Sequence, residues 1–372
     1  TKQTKVTDVT GDYLNNTKGV HWPDTTTVNG NCLIIPSVSG STYQPAAYDL
    51  IFDSNKTGSG TTFPTWTFSA WINPSASNAD RTIWSSGVNS AGTALHHITV
   101  EMDESLRYAM LSSDGSTGTR ITFWETSASA ISNGSWQHIA VSLTGTNGSL
   151  STTALPTLYV NGVSRSWDGA TSPSQAPYNY LPDGRNLRPN VRGHAALDVY
   201  GCVMLGGIPT AANSHEYQGS MDEVAVWSRK LTDLEVAQVY NSGSPCVLTS
   251  SNSPQSASLA AWWRLGEAVG DAINTGATAP DQISAANVIK DLIGSASFLP
   301  TAKAGDNQGL AITTHVSALT GCDDRVYTTR LVGPQPYPMT GSERAVYYRD
   351  LTAKTPYVFK NILMRTGSTI LG

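Results

Sequence analysis

The stretch Thr65-Trp66-Thr67-Phe68-Ser69-Ala70-Trp71-Ile72-Asn73 decides the class of fold. Its apolar residues alternate. Trp66, Phe68, Ala70 and Ile72 fall on one face, with Trp71 interposed on the other. That period of two belongs to a β-strand, whose successive side chains leave opposite faces of a pleated backbone. The pattern recurs on both sides. Upstream, regular β-patterning begins at Asn31-Cys32-Leu33-Ile34-Ile35-Pro36. Downstream, strands are predicted over residues 81–84, 97–102, 106–111, 120–124, 136–143, 158–160, 203–205 and 221–227. Asp114-Gly115 and Asn161-Gly162 read as hairpin turns, because both positions of a type I′ turn need positive φ.

One helix interrupts this series, over residues 231–243. Thr232 is its N-cap and Glu235, three residues on, completes a capping box. Leu234 or Val236, with Val239 and Tyr240, forms the apolar stripe, and Gly243 is expected as the terminating residue. About nine strands and one short helix in roughly 210 residues describe a large antiparallel sandwich.

Composition agrees. Of 372 residues, 14% are charged, against about 25% in an ordinary soluble protein. There are 33 Gly and 19 Pro, and Ser, Thr and Asn fill much of the remainder. Coiled coils and helical bundles need far more Ala, Glu, Lys and Leu. Disorder driven by charge does not fit a net charge of −5 with 10 Trp and 15 Tyr. No basic block exceeds Arg229-Lys230, so no nucleic-acid partner is expected. No apolar run approaches the roughly 18–20 residues that span a bilayer, so no membrane partner is expected either. A start at Thr1, without Met or a signal-like apolar region, reads as trimmed or processed. Cys32, Cys202, Cys246 and Cys322 form no CxxC pair, and two disulfides or four free thiols both remain open.

The order of segments resembles the concanavalin A-like jelly rolls of the laminin G type. The residues that carry the resemblance are "FSAWINP" from Phe68, "WQHIAVSL" from Trp136 and "LYVNGV" from Leu158. "MLGG" from Met204 and "GSMDEVAVWSRKLTDLEVAQVYNSG" from Gly219 complete them. The resemblance implies an all-β, antiparallel β-sandwich with one short helix and extended terminal arms. It implies that Asp222-Glu223 caps or pins the closing strand. Independently, Trp71 and Trp136 are read on long strands where bulky rings can fill a sandwich core. A second element, Trp262-Trp263-Arg264-Leu265-Gly266, follows the junction Tyr240-Asn241-Ser242-Gly243-Ser244-Pro245-Cys246. It is similar to an arrangement in laminin G-like proteins of tailed phages. The organisation expected is an N-terminal extended arm over 1–30 and a sandwich over 31–300. Within the sandwich, the core covers 31–245 and returning strands cover 255–300. A C-terminal β-rich assembly segment covers 301–372.

The candidate sites follow from residue chemistry. Related sandwiches that cleave glycosides need two carboxyls about 5–5.5 Å apart. Glu101 and Asp103 are read on one face of a strand, but position 105 is Ser105, so the third acid of such a row is missing. No catalytic residue is therefore assigned. His96-His97 are adjacent and point to opposite faces, and His138 is read as a core-edge residue. Calcium, which takes hard oxygen donors from loops, is the one metal the resemblance suggests, with Asp53, Asp114 and Asp198 among the loop acids that could hold it. Between two strands lies an aromatic insert over 167–193. Trp167, Tyr178, Tyr180 and Arg188 in it are candidates for contact with a carbohydrate or a partner subunit. The tail carries Tyr347, Tyr348, Tyr357 and Phe359 as candidate assembly contacts. The sequons at Asn15, Asn55, Asn133 and Asn147 carry weight only in a glycosylating host.

Three functions compete. The first is a non-catalytic structural or binding subunit of a virion or other extracellular assembly, associating with copies of itself or other virion proteins. The second is a carbohydrate-binding surface adhesin or lectin. The third is a glycoside hydrolase-like enzyme. A neutral, hydroxyl-rich surface suits a virion or extracellular location.

Overall fold

The computed structural model describes residues 18–22, 32–35, 65–77, 79–88, 94–113, 119–144, 156–167, 203–207, 216–245, 247–249, 256–267, 289–293, 299–301 and 311–314. The strands in chain order are β1 Lys18–Trp22, β2 Cys32–Ile35, β3 Trp66–Pro74, β4 Arg81–Val88 and β5 Ala94–Val100. Then come β6 Leu106–Ser113, β7 Thr119–Glu125, β8 Gln137–Leu143, β9 Thr157–Val160 and β10 Val163–Arg165. The series ends with β11 Val203–Leu205, β12 Gly219–Trp227, β13 Leu259–Trp263, β14 Leu299–Thr301 and β15 Ala311–Thr314. Helix α1, Asp233–Tyr240, follows β12. Two antiparallel sheets result. The first runs β10-β9-β8-β3-β12-β1-β15, with β13 also on β12, and the second runs β14-β2-β11-β4-β5-β6-β7.

Between the sheets lies the main core. Trp66, Phe68, Ala70 and Ile72 of β3 face Ile98 and Val100 of β5, Tyr108 and Met110 of β6 and Trp124 of β7 in one buried cluster. Trp66, Trp84, Trp124 and Trp263 are all under 2% exposed. Each indole removes on the order of 200 Å² from water, the largest apolar contribution any residue type makes.

Trp71 is not in that core. The alternation of β3 sends it outward, where its ring stacks on Tyr240 at 5.8 Å and meets His138 at 5.6 Å. Trp136 stands just ahead of β8, half-buried. The expectation that these two rings fill the core between the sheets therefore fails, because strand parity and not ring size selects the face. A second cluster covers that outward face. Tyr159, Ala225, Trp227 and Trp262 of the sheet pack beneath Leu231, Val236, Val239, Val247 and Leu248. Hence β8 is buried along its whole length.

The helix begins as expected. Thr232 Oγ1 accepts from the Glu235 backbone, and Glu235 returns a contact to the Thr232 backbone N–H. Its end differs. Asn241 takes the left-handed position at φ 50°, two residues before Gly243, because Asn tolerates that region. The Asn161-Gly162 turn has φ of 51° and 76°, the positive pair a tight hairpin needs. Asp114-Gly115 lies outside the described residues.

At β12 the sheet changes neighbours. Gly219–Met221 pair with β1, and the far part from Val224 pairs with β13. Between them sit Asp222 and Glu223, where the register against β3 shifts and Glu223 adopts φ 49°. Asp222 Oδ1 accepts the Glu223 N–H at 2.8 Å. The expected pinning role is thus visible as a bulge. Lys18–Trp22, within the span read as an extended arm, is a strand of the first sheet. In the same way Ala311–Thr314, from the span read as an assembly segment, pairs with β1. A two-sided polar or short apolar run carries little local signal, so tertiary pairing alone reveals such strands.

Candidate functional site

On the outward side of the first sheet α1 and its neighbours cover residues of β8, β9, β12 and β13, so attention falls on the outward face of the second. On β7, Ile121, Phe123 and Glu125 alternate outward while Thr122 and Trp124 point in, as strand parity requires. Phe123 pairs across to Ala109 and Glu125 to Arg107 of β6. The Arg107 guanidinium lies over the Phe123 ring, 4.7 Å from its centroid. Phe123 is half-buried and Ile121 is 52% exposed. An aromatic face with a cation over it, beside an exposed aliphatic residue on an edge strand, makes a surface platform.

Arg107 is held from two sides. Its Nε and Nη2 donate to Glu125 Oε2 at 3.0 and 2.8 Å, and its Nη1 stands 2.6 Å from Glu101 Oε2. Glu125 Oε1 accepts from the Ser105 hydroxyl at 2.5 Å. Burial is the strongest influence on Glu101. It works against the pull of Arg107, with Asp80, Glu125 and Asp103 adding their repulsion, and pushes the carboxyl up to about 8.

The expectation that Glu101 and Asp103 share a strand face is not met. Strand β5 ends at Val100, and residues 101–105 form a turn closed by Glu104 N–H to Glu101 O and Glu101 N–H to Ser105 O, both 3.0 Å. Asp103 Oδ1 accepts the Ser105 N–H at 3.0 Å, and Asp80 Oδ1 accepts the Met102 N–H at 3.1 Å. Beneath the turn lies Arg81, fully buried. Its Nη1 donates to Asn133 Oδ1 at 2.7 Å and to the Ser75 carbonyl, and Nη2 donates to the Glu101 carbonyl at 3.3 Å. Asn133 in turn donates to Glu104 Oε1 at 2.7 Å. The acids that sequence reading weighed for catalysis are therefore wired into the turn. Arg107, Phe123, Arg81 and Asn133 were missed. The alternation in Thr119–Glu125 was a usable signal for Phe123, whereas the Arg81–Asn133 contact spans 52 residues and has none.

Trp167 forms a backbone bridge to Thr126, immediately after β7, and its ring meets Trp124 at 6.4 Å. It packs on the core from the side opposite Phe123. Tyr178, Tyr180 and Arg188 lie outside the described residues. The same holds for Asp53, Asp114 and Asp198, and for Tyr347, Tyr348, Tyr357 and Phe359. No group of three or more His, Cys, Asp or Glu that could hold a metal occurs among the described residues. His96 and His97 do point apart. The His96 ring stacks at 6.0 Å on Tyr108 between the sheets, while His97 pairs with Ala109 outside. His138 is fully buried beneath α1.

Residues 52–198 match the laminin G type family described as the concanavalin A-like lectin/glucanases superfamily. The match covers under half of the chain, and the two-sheet architecture around it is the concanavalin A-like jelly roll. No curated protein matches the chain. Among solved structures, a protein from Bacteroides ovatus ATCC 8483 described as carbohydrate binding aligns at 16% identity and TM-score 0.43, over 82% of this chain. This chain covers 62% of that protein's length. The heptameric SAP-like pentraxin of Limulus polyphemus aligns at 14% identity and TM-score 0.35, over 60% of this chain and 82% of its own. The CBM40 domain of the Ruminococcus gnavus IT-sialidase, bound to α2,3-sialyllactose, aligns at 14% identity and TM-score 0.34, over 48% of this chain and 83% of its own.

Proposed function

We propose that this chain is a non-catalytic carbohydrate-binding protein that meets its glycan on the outward face of β6 and β7. The observation that carries the reading is the Phe123 ring, capped by Arg107 on a partly exposed sheet face, in a segment of a lectin and glucanase superfamily. Sugar rings present an apolar face and a rim of hydroxyls, so an aromatic plane with fixed polar groups beside it suits them. Glu101 and Glu125 supply acceptors whose positions Arg107 holds. The same guanidinium fills the space between the two carboxyls, where a scissile bond would have to sit, which favours binding over cleavage. Tyr178, Tyr180 and Arg188 of the aromatic insert are further candidates for carbohydrate contact. An extracellular location fits the low charge and the hydroxyl-rich surface.

A glycan array probed with the whole chain tests this. Binding to at least one glycan, reduced by Phe123→Ala, is the expected result. Silence on every glycan would remove the lectin reading.

A second reading, an assembly subunit of a virion or other extracellular structure, has one favourable observation. Among the described residues β15 stands at an edge of the first sheet, and an edge strand can accept a strand from another copy. Negative-stain images and light scattering of the full chain, against a chain lacking 301–372, distinguish the two. Assembly that depends on the tail supports this reading, and a monomer in both forms overturns it.

A further inference from the structure

Resting on the carbohydrate-binding reading, we infer that the platform on β6 and β7 selects uncharged or amino sugars and rejects anionic ones. Three observations carry this. Arg107 is the guanidinium that faces the platform, and its Nε, Nη1 and Nη2 are already directed at Glu125 and Glu101. A sugar carboxylate or sulfate would need the bidentate fork that these two side chains occupy. Arg81, the second cation of the region, is fully buried, out of a ligand's reach, and its Nη1 and Nη2 donate to Ser75, Asn133 and Glu101.

The acids outnumber these cations. Asp80, Glu101, Asp103, Glu104 and Glu125 surround Arg81 and Arg107, so the region is negative at neutral pH whether or not Glu101 holds its proton. Asp80 and Asp103 accept the Met102 and Ser105 N–H groups of the 101–105 turn, which puts their charge beside Glu101. Like-charge juxtaposition is a principal way in which binding sites reject a wrong partner.

The test is an affinity comparison with the full chain and matched probes: lactose with 3′-sialyllactose, oligogalactose with oligogalacturonate, and chitin with chitosan oligomers. The expected result is that the anionic member of the first two pairs binds about tenfold or more weakly at low salt, and that cationic chitosan binds at least as tightly as chitin. The gap narrows at 0.5 M salt, where charges beyond a few ångströms are screened. The double variant Asp80→Asn, Asp103→Asn keeps both backbone-accepting oxygens and removes two charges. It is expected to bind neutral probes unchanged and to narrow the gap by severalfold, its neutral-probe affinity reporting that it is folded. Equal or tighter binding of the anionic members overturns the inference and leaves the carbohydrate reading standing. An unchanged gap in the double variant also overturns it. No binding to any probe overturns both.

Discussion

Glu223 Oε2 accepts a 2.6 Å hydrogen bond from the indole Nε1 of Trp262, across the junction where β12 exchanges one neighbour for another. The other carboxylate oxygen takes the Arg264 Nε–H at 2.8 Å, and both charged side chains are under 5% exposed. The bulge at Asp222-Glu223 therefore fastens β13, which supplies Trp263 to the main core and Trp262 to the second.

Removing one partner of this pair leaves a buried charge uncompensated. Glu223→Ala is expected to cost about 3–5 kcal/mol of stability in chemical denaturation. Replacing Glu223 and Arg264 together by Met should cost much less than the two single changes summed, since neither charge is then stranded. A double variant as unstable as that sum would contradict this description of the pair.

The same geometry sets a limit on truncation. A chain ended at residue 250 loses Leu259, Ala261, Trp262, Trp263, Leu265 and Ile289, six buried residues from the two clusters. It is expected to lack a cooperative unfolding transition, as judged by intrinsic fluorescence in denaturant. Cooperative unfolding of that fragment would show β13 to be dispensable.

At the Asn161-Gly162 turn, a Cβ on residue 162 would lie 2.9 Å from the Tyr240 ring and 3.2 Å from the Ala237 backbone. The φ of 76° is itself unfavourable for any side chain. Gly162→Ala is expected to destabilise by about 1–3 kcal/mol, through strain and the displacement of α1 from the sheet. Calorimetry reads this directly, and a neutral substitution would refute the close approach.

Burial lowers His96 and His138 to about 3, His96 also feeling His97. The unfolded imidazoles titrate near 6.5. The stability these neutral rings confer is thus present above about 6.5 and is lost as pH falls from there toward 3. Glu101, pushed up to about 8, acts in the opposite sense, losing stability as pH rises from its unfolded value through 8. The imidazole contribution is isolated by comparison with His138→Phe. Relative to the wild type, that variant should gain about 1.4 kcal/mol per pH step below 6. A difference independent of pH would mean that His138 charges without penalty.

How much of this was legible in the sequence depends on the range of the interaction. The alternation in β3, the capping box at Thr232 and the Asn161-Gly162 turn are local, and each is where the sequence places it. The face that Trp71 adopts depends on which sheet side α1 covers, a contact between residues 71 and 240. The platform depends on cross-strand register, which brings Arg107 beside Phe123 and Glu125, and the single-strand pattern does not contain it. Glu101 looked like the end of a solvated strand because a turn that folds back on Arg81 cannot be told from a strand end over five residues. The candidates in the insert and the tail, from Tyr178 to Phe359, rest on composition alone.

The central claim, a glycan site on the outward face of β6 and β7, is tested most directly by measuring glycan affinity of the full chain beside Phe123→Ala and Val163→Asp, the latter on β10 at the far edge of the other sheet. The account expects at least a tenfold loss for Phe123→Ala with its unfolding midpoint nearly kept, and no loss for Val163→Asp. Undiminished binding by folded Phe123→Ala, or loss with Val163→Asp instead, would contradict it.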